Sequence, residues 1–143
     1  MIKFFDITKQ DKKFHNKILD KIRNIILDSN FIDGKEVGLF EKNFKKFCNV
    51  KHCITVANGT DALSIALKSL NLKKNSEVIV PAMTWKSTAL APLNLGLKVK
   101  LVDTEKKSSN INLNDLRKKI NKNTRVIIVV HLYGNPGDIK EIK

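Results

Sequence analysis

The sequence predicts an α/β fold, a mostly parallel sheet with helices on both faces. Beyond Lys51, short β-branched apolar runs alternate with segments of helical period. Such alternation implies parallel strands joined by right-handed helical crossovers. The runs are apolar throughout rather than apolar on every second residue, which is the pattern of strands buried on both faces.

Residues 1–50 read as an N-terminal helical segment. Phe14, Ile18, Ile22, Ile25 and Ile26 recur at helical spacing up to about Leu27. The stretch "SNFIDGKEV" interrupts the period, and Val37, Phe40, Phe44 and Phe47 resume it. Residues 51–143 read as a partial α/β domain. "HCITVA" (52–57) is its first strand-like run. "TDALSIALKSL" (60–70) is a helix expected to turn Ala62, Leu63, Ala66, Leu67 and Leu70 inward. "EVIVP" (77–81) is a second strand, ended by Pro81. "TWKSTALAPLNLG" (84–96) is a loop and helix closed by Gly96, and Pro92 is expected to break or kink it. "KVKLVD" (98–103) is a third strand. "NLNDLRKKI" (112–120) is a helix with Asn112 and Asp115 near capping-box spacing. "RVIIVVHLYG" (125–134) is a fourth strand. Pro136, Gly137 and Asp138 then form a turn and N-cap, and "IKEIK" begins one turn of helix. An isolated turn is unfavourable, and the last strand has no return crossover to cover it. The chain therefore reads as the front portion of something longer.

The composition narrows the function classes. The chain has 143 residues, 42% of them hydrophobic, which suits one folded domain rather than a disordered segment. No run approaches the roughly 18 apolar residues of a membrane span. "MIKFFDITKQDKKF" lacks the apolar core of a signal peptide, so a cytoplasmic location is expected, with no membrane partner. Cys48 and Cys53 have no metal-ligand spacing and read as free thiols packed as small hydrophobes. The net charge of +13 raises the possibility of nucleic-acid binding. The excess is scattered, however, and it is lysine except for Arg23, Arg117 and Arg125. Bidentate phosphate and base recognition favours arginine. No specific nucleic-acid partner is expected.

Two stretches carry candidate chemistry. "VANGTDAL" puts a turn between an apolar run and the start of a helix. Unpaired N–H groups and a partial positive charge at a helix start attract anions. Gly59 permits close backbone approach, the Thr60 hydroxyl adds a donor, and the Asp61 N–H is counted as available. The pattern is neither GxxxxGK[ST] nor GxGxxG. Asn-Gly-Thr is equally a good turn with an N-cap, and the two readings stand side by side on this stretch alone. "VPAMTWKST" follows the next strand and holds the only tryptophan, Trp85, among Thr84, Ser87 and Thr88. Its ring suits stacking on a flat cofactor, or packing between helix and loop.

Taken together, "FIDGKEVGLFEKNFKKFCNVKHC" and the ordered run from "VANGTDALSIAL" through "VPAMTWKST" and "LVD" to "VHLYGNPGDIKEI" resemble the front half of the DegT/DnrJ/EryC1/StrS sugar aminotransferases. The resemblance covers about residues 30–143 and extends to the first helix. It implies the large domain of a fold-type-I pyridoxal 5'-phosphate (PLP) transferase. It also implies that Gly59, Thr60 and the Asp61 N–H hold the cofactor phosphate and that Trp85 stacks on the pyridine ring. Asp103 and His131 match family positions, with a structural role expected for Asp103 and a satisfied strand-end histidine for His131. The family's pyridinium-binding Asp and its Schiff-base lysine match nothing here, so no catalytic residue is assigned.

The resemblance implies a nucleotide-linked keto-sugar and an amino-acid donor as substrates of an intact homologue, and a homodimer. The chain alone is expected to be inactive. The alternatives are a non-catalytic phosphate- or PLP-binding fragment and a PLP-dependent sugar dehydratase of the same family. A basic nucleic-acid binder is the weakest reading.

Overall fold

The computed structural model describes residues 12–143. The chain divides into two compact units, Met1–Thr55 and Val56–Lys143.

The first unit holds α1 (Lys12–Leu27) and α2 (Lys35–Phe47). Both helices end in the same way. After α1, Ser29 takes φ 51 and the Asn30 N–H returns to the Ile25 carbonyl. After α2, Asn49 takes φ 52 and the Val50 N–H returns to the Lys45 carbonyl. These left-handed caps satisfy carbonyls that the helix leaves unpaired, and they are why the period breaks at "SNFIDG". Glu36 in the first turn of α2 and Lys45 and Lys46 in its last both oppose the helix dipole. The Phe40 and Phe44 rings stack with centroids 5.4 Å apart. The apolar stripe of α1 is exposed at Phe14, Ile18, Ile22 and Ile26.

Two expectations for this region need correction. Residues 52–56 of "HCITVA" form no strand, because no described segment offers them a ladder partner, and Ile54 is 81% exposed. The segment is held instead by Glu41, whose Oε1 accepts from the Thr55 N–H at 2.7 Å and from its hydroxyl at 2.9 Å. These bonds, the backbone one first, hold the Glu41 carboxyl below its usual range. Cys48 is also exposed rather than packed, while Cys53 is half-buried, and both are free thiols.

The second unit is built on β1 (Glu77–Pro81), which pairs in parallel with β2 (Lys98–Val102) on one side and β3 (Thr124–Ile127) on the other. The register runs Glu77 opposite Lys98 to Pro81 opposite Val102. Arg125 bulges out between the β3 partners of Glu77 and Val78. Val78, Ile79 and Val80 have no exposed surface. Ile79 packs with Val102, Ile111 and Leu116 on one face, and Val78 and Val80 pack with Leu97 on the other. Helices therefore cover both faces: α5 (Leu113–Lys119) through Leu116, and α4 (Ser87–Asn94) through Ala89. This is the expected α/β sheet, with three strands among the described residues.

Three local differences have simple causes. The ladder of β3 stops at Ile127, not Gly134, because its partner β1 ends at Pro81, which has no N–H to continue it. Residues 132–134 form a 3₁₀ turn. Pro92 does not break α4. It lies buried two residues before the helix ends, and Gly96 at φ 71 closes the helix with the Leu97 N–H on the Pro92 carbonyl. Along α3 (Gly59–Ser69) Leu67 is buried and Leu63 half-buried, whereas Ala62, Ala66 and Leu70 are exposed. The reason is that α3 packs chiefly against α4, not on the sheet. A short α6 (Ile139–Ile142) follows, capped by Asp138.

Ile79→Ala removes a fully buried side chain from the central strand and is expected to lower the unfolding free energy by about 2–5 kcal/mol. Urea unfolding followed by circular dichroism measures this, and a loss under about 1 kcal/mol would show that Ile79 is not at the centre of a packed core.

Candidate functional site

The site is built from two helix starts. The first is α3. Asn58 is its N-cap in extended geometry, with φ −163 and ψ 173. Its Oδ1 accepts from the Asp61 N–H at 2.9 Å, and its Nδ2 donates to Asp61 Oδ2 at 2.9 Å. This reciprocal pair is why Asn-Gly-Thr-Asp starts a helix here. It also changes one expectation: the Asp61 N–H is engaged by Asn58 in this structure rather than free. Gly59 and Thr60 occupy the first two helical positions, whose N–H groups have no intrahelical acceptor. A Cβ built on Gly59 would meet nothing within 4 Å. Among the described residues nothing requires glycine there or covers this point of the helix start.

The second helix start is α4. β1 ends at Pro81, and Thr84–Lys86 carry the chain into Ser87. Thr84 Oγ1 and Thr88 Oγ1 lie 3.0 Å apart across this turn, and the Thr88 N–H donates to the Trp85 carbonyl at 3.0 Å. Thr88 is buried, so the turn is fixed from beneath. Trp85 is held at its top with 73% of its surface exposed. Of the two readings left open for this ring, packing between helix and loop is therefore not what the structure shows. The two helix starts meet where Thr60 Oγ1 donates to Ser87 Oγ at 2.8 Å. Gly59, Thr60, Asp61 and the Trp85 loop are thus brought together, with Ser87 as the joint. Sequence reasoning named Ser87 only as a neighbouring hydroxyl. The available signal was its place two residues after Trp85, at the first position of a helix.

Asp103 and His131 have local partners. The Asp103 N–H donates to Asp115 Oδ2 at 2.8 Å, and its own Oδ1 accepts from the Thr104 N–H at 2.8 Å. It ties the end of β2 to α5. His131 Nδ1 accepts from the Gly137 N–H at 2.9 Å, which fixes the turn leading into α6. Arg117 pairs with Glu141 across the same region.

Among the described residues no cluster of His, Cys, Asp and Glu is arranged to hold a metal ion. No helix among them is long and apolar enough to cross a membrane.

The family model for the DegT/DnrJ/EryC1/StrS aminotransferases matches residues 12–143. The chain belongs to that family. It is 34% identical over 142 residues to a dTDP-3-amino-3,6-dideoxy-α-D-galactopyranose transaminase of Aneurinibacillus thermoaerophilus, covering 99% of this chain and 39% of that protein. It is 35% identical over 132 residues to a GDP-4-keto-6-deoxy-D-mannose 3-dehydratase of Yersinia pseudotuberculosis, covering 88% of this chain and 34% of that one. Among solved structures, a family aminotransferase from Brucella abortus superposes with a TM-score of 0.90 at 29% identity, over 99% of this chain and 40% of that chain. An E. coli GDP-4-keto-6-deoxy-D-mannose-3-dehydratase with bound hydrated PLP superposes at 0.84 and 29% identity, over 94% of this chain and 35% of that chain. The chain spans about 40% or less of the length of these relatives.

Two carboxylates of the second unit contribute stability that acid removes. Lys119 Nζ lies 2.8 Å from Asp115 Oδ2, and this contact, with the Asp103 N–H second, holds the Asp115 carboxyl below its usual range. Lys100 at 3.0 Å and then Asn121 do the same for Glu77. Both folded values lie below the unfolded ones. The stability they contribute is therefore complete above the unfolded carboxylate range, near pH 4, and is lost as pH falls through the folded values. Unfolding free energy measured from pH 6 downward is expected to fall in acid, and Asp115→Asn is expected to flatten that fall. An identical acid profile for the variant would show that Asp115 does not take part.

Proposed function

We propose that this chain forms the phosphate-binding, ring-facing part of a PLP-dependent aminotransferase acting on a nucleotide-linked keto-sugar, with an amino acid as donor. The observation that supports it most is the joining of the α3 start to the Trp85 loop through Thr60 and Ser87, under an open surface at Gly59. The residues fit the cofactor. The Gly59 and Thr60 N–H groups and the Thr60 hydroxyl would hold the phosphate, aided by the partial positive charge of the helix start. The Asp61 N–H would join them when Asn58 releases it, and until then Asp61 steadies the turn. Trp85 would cover one face of the pyridine ring. When bound, PLP supplies the electron sink for amine transfer.

In this reading the residues of the chain bind and orient, and they move no proton. None of its lysines matches the family's Schiff-base position, so the chain by itself is expected to carry no amine-transfer activity. Relatives that include sugar dehydratases support a second reading, in which the same cup serves a PLP-dependent dehydratase. The exposed apolar stripe of α1 supports a homodimer as the working form. A cytoplasmic location remains part of the proposal.

Pyridoxamine 5'-phosphate cannot condense with surface lysines, which makes it a clean probe of the cup. It is expected to quench Trp85 fluorescence, and Thr60→Ala is expected to weaken its binding by about 1–3 kcal/mol, the range for a bond to a charged group. An unchanged dissociation constant would remove Thr60 from the site. The same chain supplied with PLP, glutamate and a nucleotide-linked keto-sugar is expected to form no amino-sugar by chromatography. Product formation would show that one of its own lysines serves as the base.

A further inference from the structure

We infer that Ser87 is a positioning residue for the Thr60 hydroxyl, and that the hydrogen bond between them reverses direction when a phosphate occupies the start of α3. This rests on the proposed phosphate reading of that helix start. Thr60 Oγ1 donates to Ser87 Oγ at 2.8 Å, and both side chains are partly buried. In that direction the Thr60 proton is committed to Ser87 Oγ. An incoming phosphate would then meet the lone pairs of the Thr60 oxygen, not a donor.

Two rotations about C–O bonds resolve the conflict. The Ser87 hydroxyl turns to donate to Thr60 Oγ1, and the freed Thr60 hydroxyl turns to donate to the phosphate. One hydrogen bond still joins the two residues, and one charge-assisted bond is gained. No proton leaves its oxygen and no covalent bond changes. Thr60 would then accept from Ser87 while donating to the anion, and bonds in such a chain polarise one another. A threonine in a helix otherwise divides its χ1 between two wells. The bond to Ser87 holds it in one.

Ser87 is itself well placed to do this. It stands at the first position of α4, one residue before the buried Thr88. The Thr84–Thr88 hydroxyl contact at 3.0 Å and the Thr88 N–H bond to the Trp85 carbonyl fix the turn that carries it. Movement of the Ser87 backbone would require unmaking that turn, whereas rotation of its hydroxyl leaves the turn in place.

The test is isothermal titration of the 143-residue chain with pyridoxamine 5'-phosphate and, separately, with pyridoxamine. The ratio of the two dissociation constants isolates the phosphate contribution, which a merely structural role for Ser87 would leave alone. Ser87→Ala is expected to lower that ratio about three- to tenfold, the range for one net hydrogen bond, without changing the constant for pyridoxamine. Ser87→Thr, which keeps the hydroxyl, is expected to retain the ratio. Ser87→Cys, close in size and a weaker donor, is expected to fall between, and serves if the alanine variant does not fold. In a Thr60→Ala background, Ser87→Ala is expected to add nothing. If Thr60→Ala lowers the ratio and neither Ser87→Ala nor Ser87→Cys does, the relay is overturned while the phosphate reading stands. If the unmodified chain shows no preference for the phosphorylated probe, both are overturned.

Discussion

The complete burial of three consecutive residues in β1 is the constraint on which the second unit depends. Val78, Ile79 and Val80 point alternately to the two faces of the sheet, and none has exposed surface. A strand buried in this way needs helices on both faces and hydrogen-bonded neighbours on both edges. α4 and α5 supply the first, and β2 and β3 the second. The site follows from the same arrangement. α4 must begin just after β1 ends, so the turn at Trp85 is set at the carboxyl end of the central strand. α3 packs on α4, so its first residues reach that turn. Thr60 meets Ser87 because both helices are placed by the burial of β1.

The charge at the site is arranged locally, not by the excess of lysine. The net charge of +13 is spread over the chain and is screened within about 10 Å in ordinary salt. In the proposed reading, the attraction for an anion at the start of α3 would come from its unpaired N–H groups. Asp61 would oppose an anion there if its carboxylate faced the open surface over Gly59. The Asn58 side-chain amide holds one of its oxygens at 2.9 Å instead. One asparagine therefore both caps the helix and holds the Asp61 carboxylate in place.

The fold of the second unit was legible because its signals are local. "EVIVP" gives β1 at its observed bounds, and Gly96 closes α4 through the left-handed geometry that favours glycine. What was misread depended on partners. "HCITVA" has the composition of a strand, but a strand exists only where a second one pairs with it. "RVIIVVHLYG" is apolar well past Ile127, yet its ladder is limited by where β1 stops. The inward face of α3 was misjudged because periodicity reports an apolar stripe without saying which element covers it. Motif order singles out Gly59, Thr60 and Trp85 as candidates. The bond from Thr60 to Ser87 spans 27 positions, and no local pattern encodes it.

A cup for phosphate and a flat aromatic face hold a cofactor without selecting what it does. Reaction type is decided by the groups that move protons at the reacting carbon. In the proposed reading this chain carries anchoring groups: two N–H donors, a hydroxyl, and a ring. The reciprocal Asn58–Asp61 cap and the paired hydroxyls at α4 stiffen these anchors without supplying a general base. In that reading, the division of labour would account for a transaminase and a dehydratase of nucleotide sugars both resembling this same stretch, at 34% and 35% identity. The two chemistries place the same demands on the anchor, namely that the phosphate be neutralised and that the ring not tumble. In that reading, a stretch that supplies only the anchor would resemble members of one family that run different chemistries.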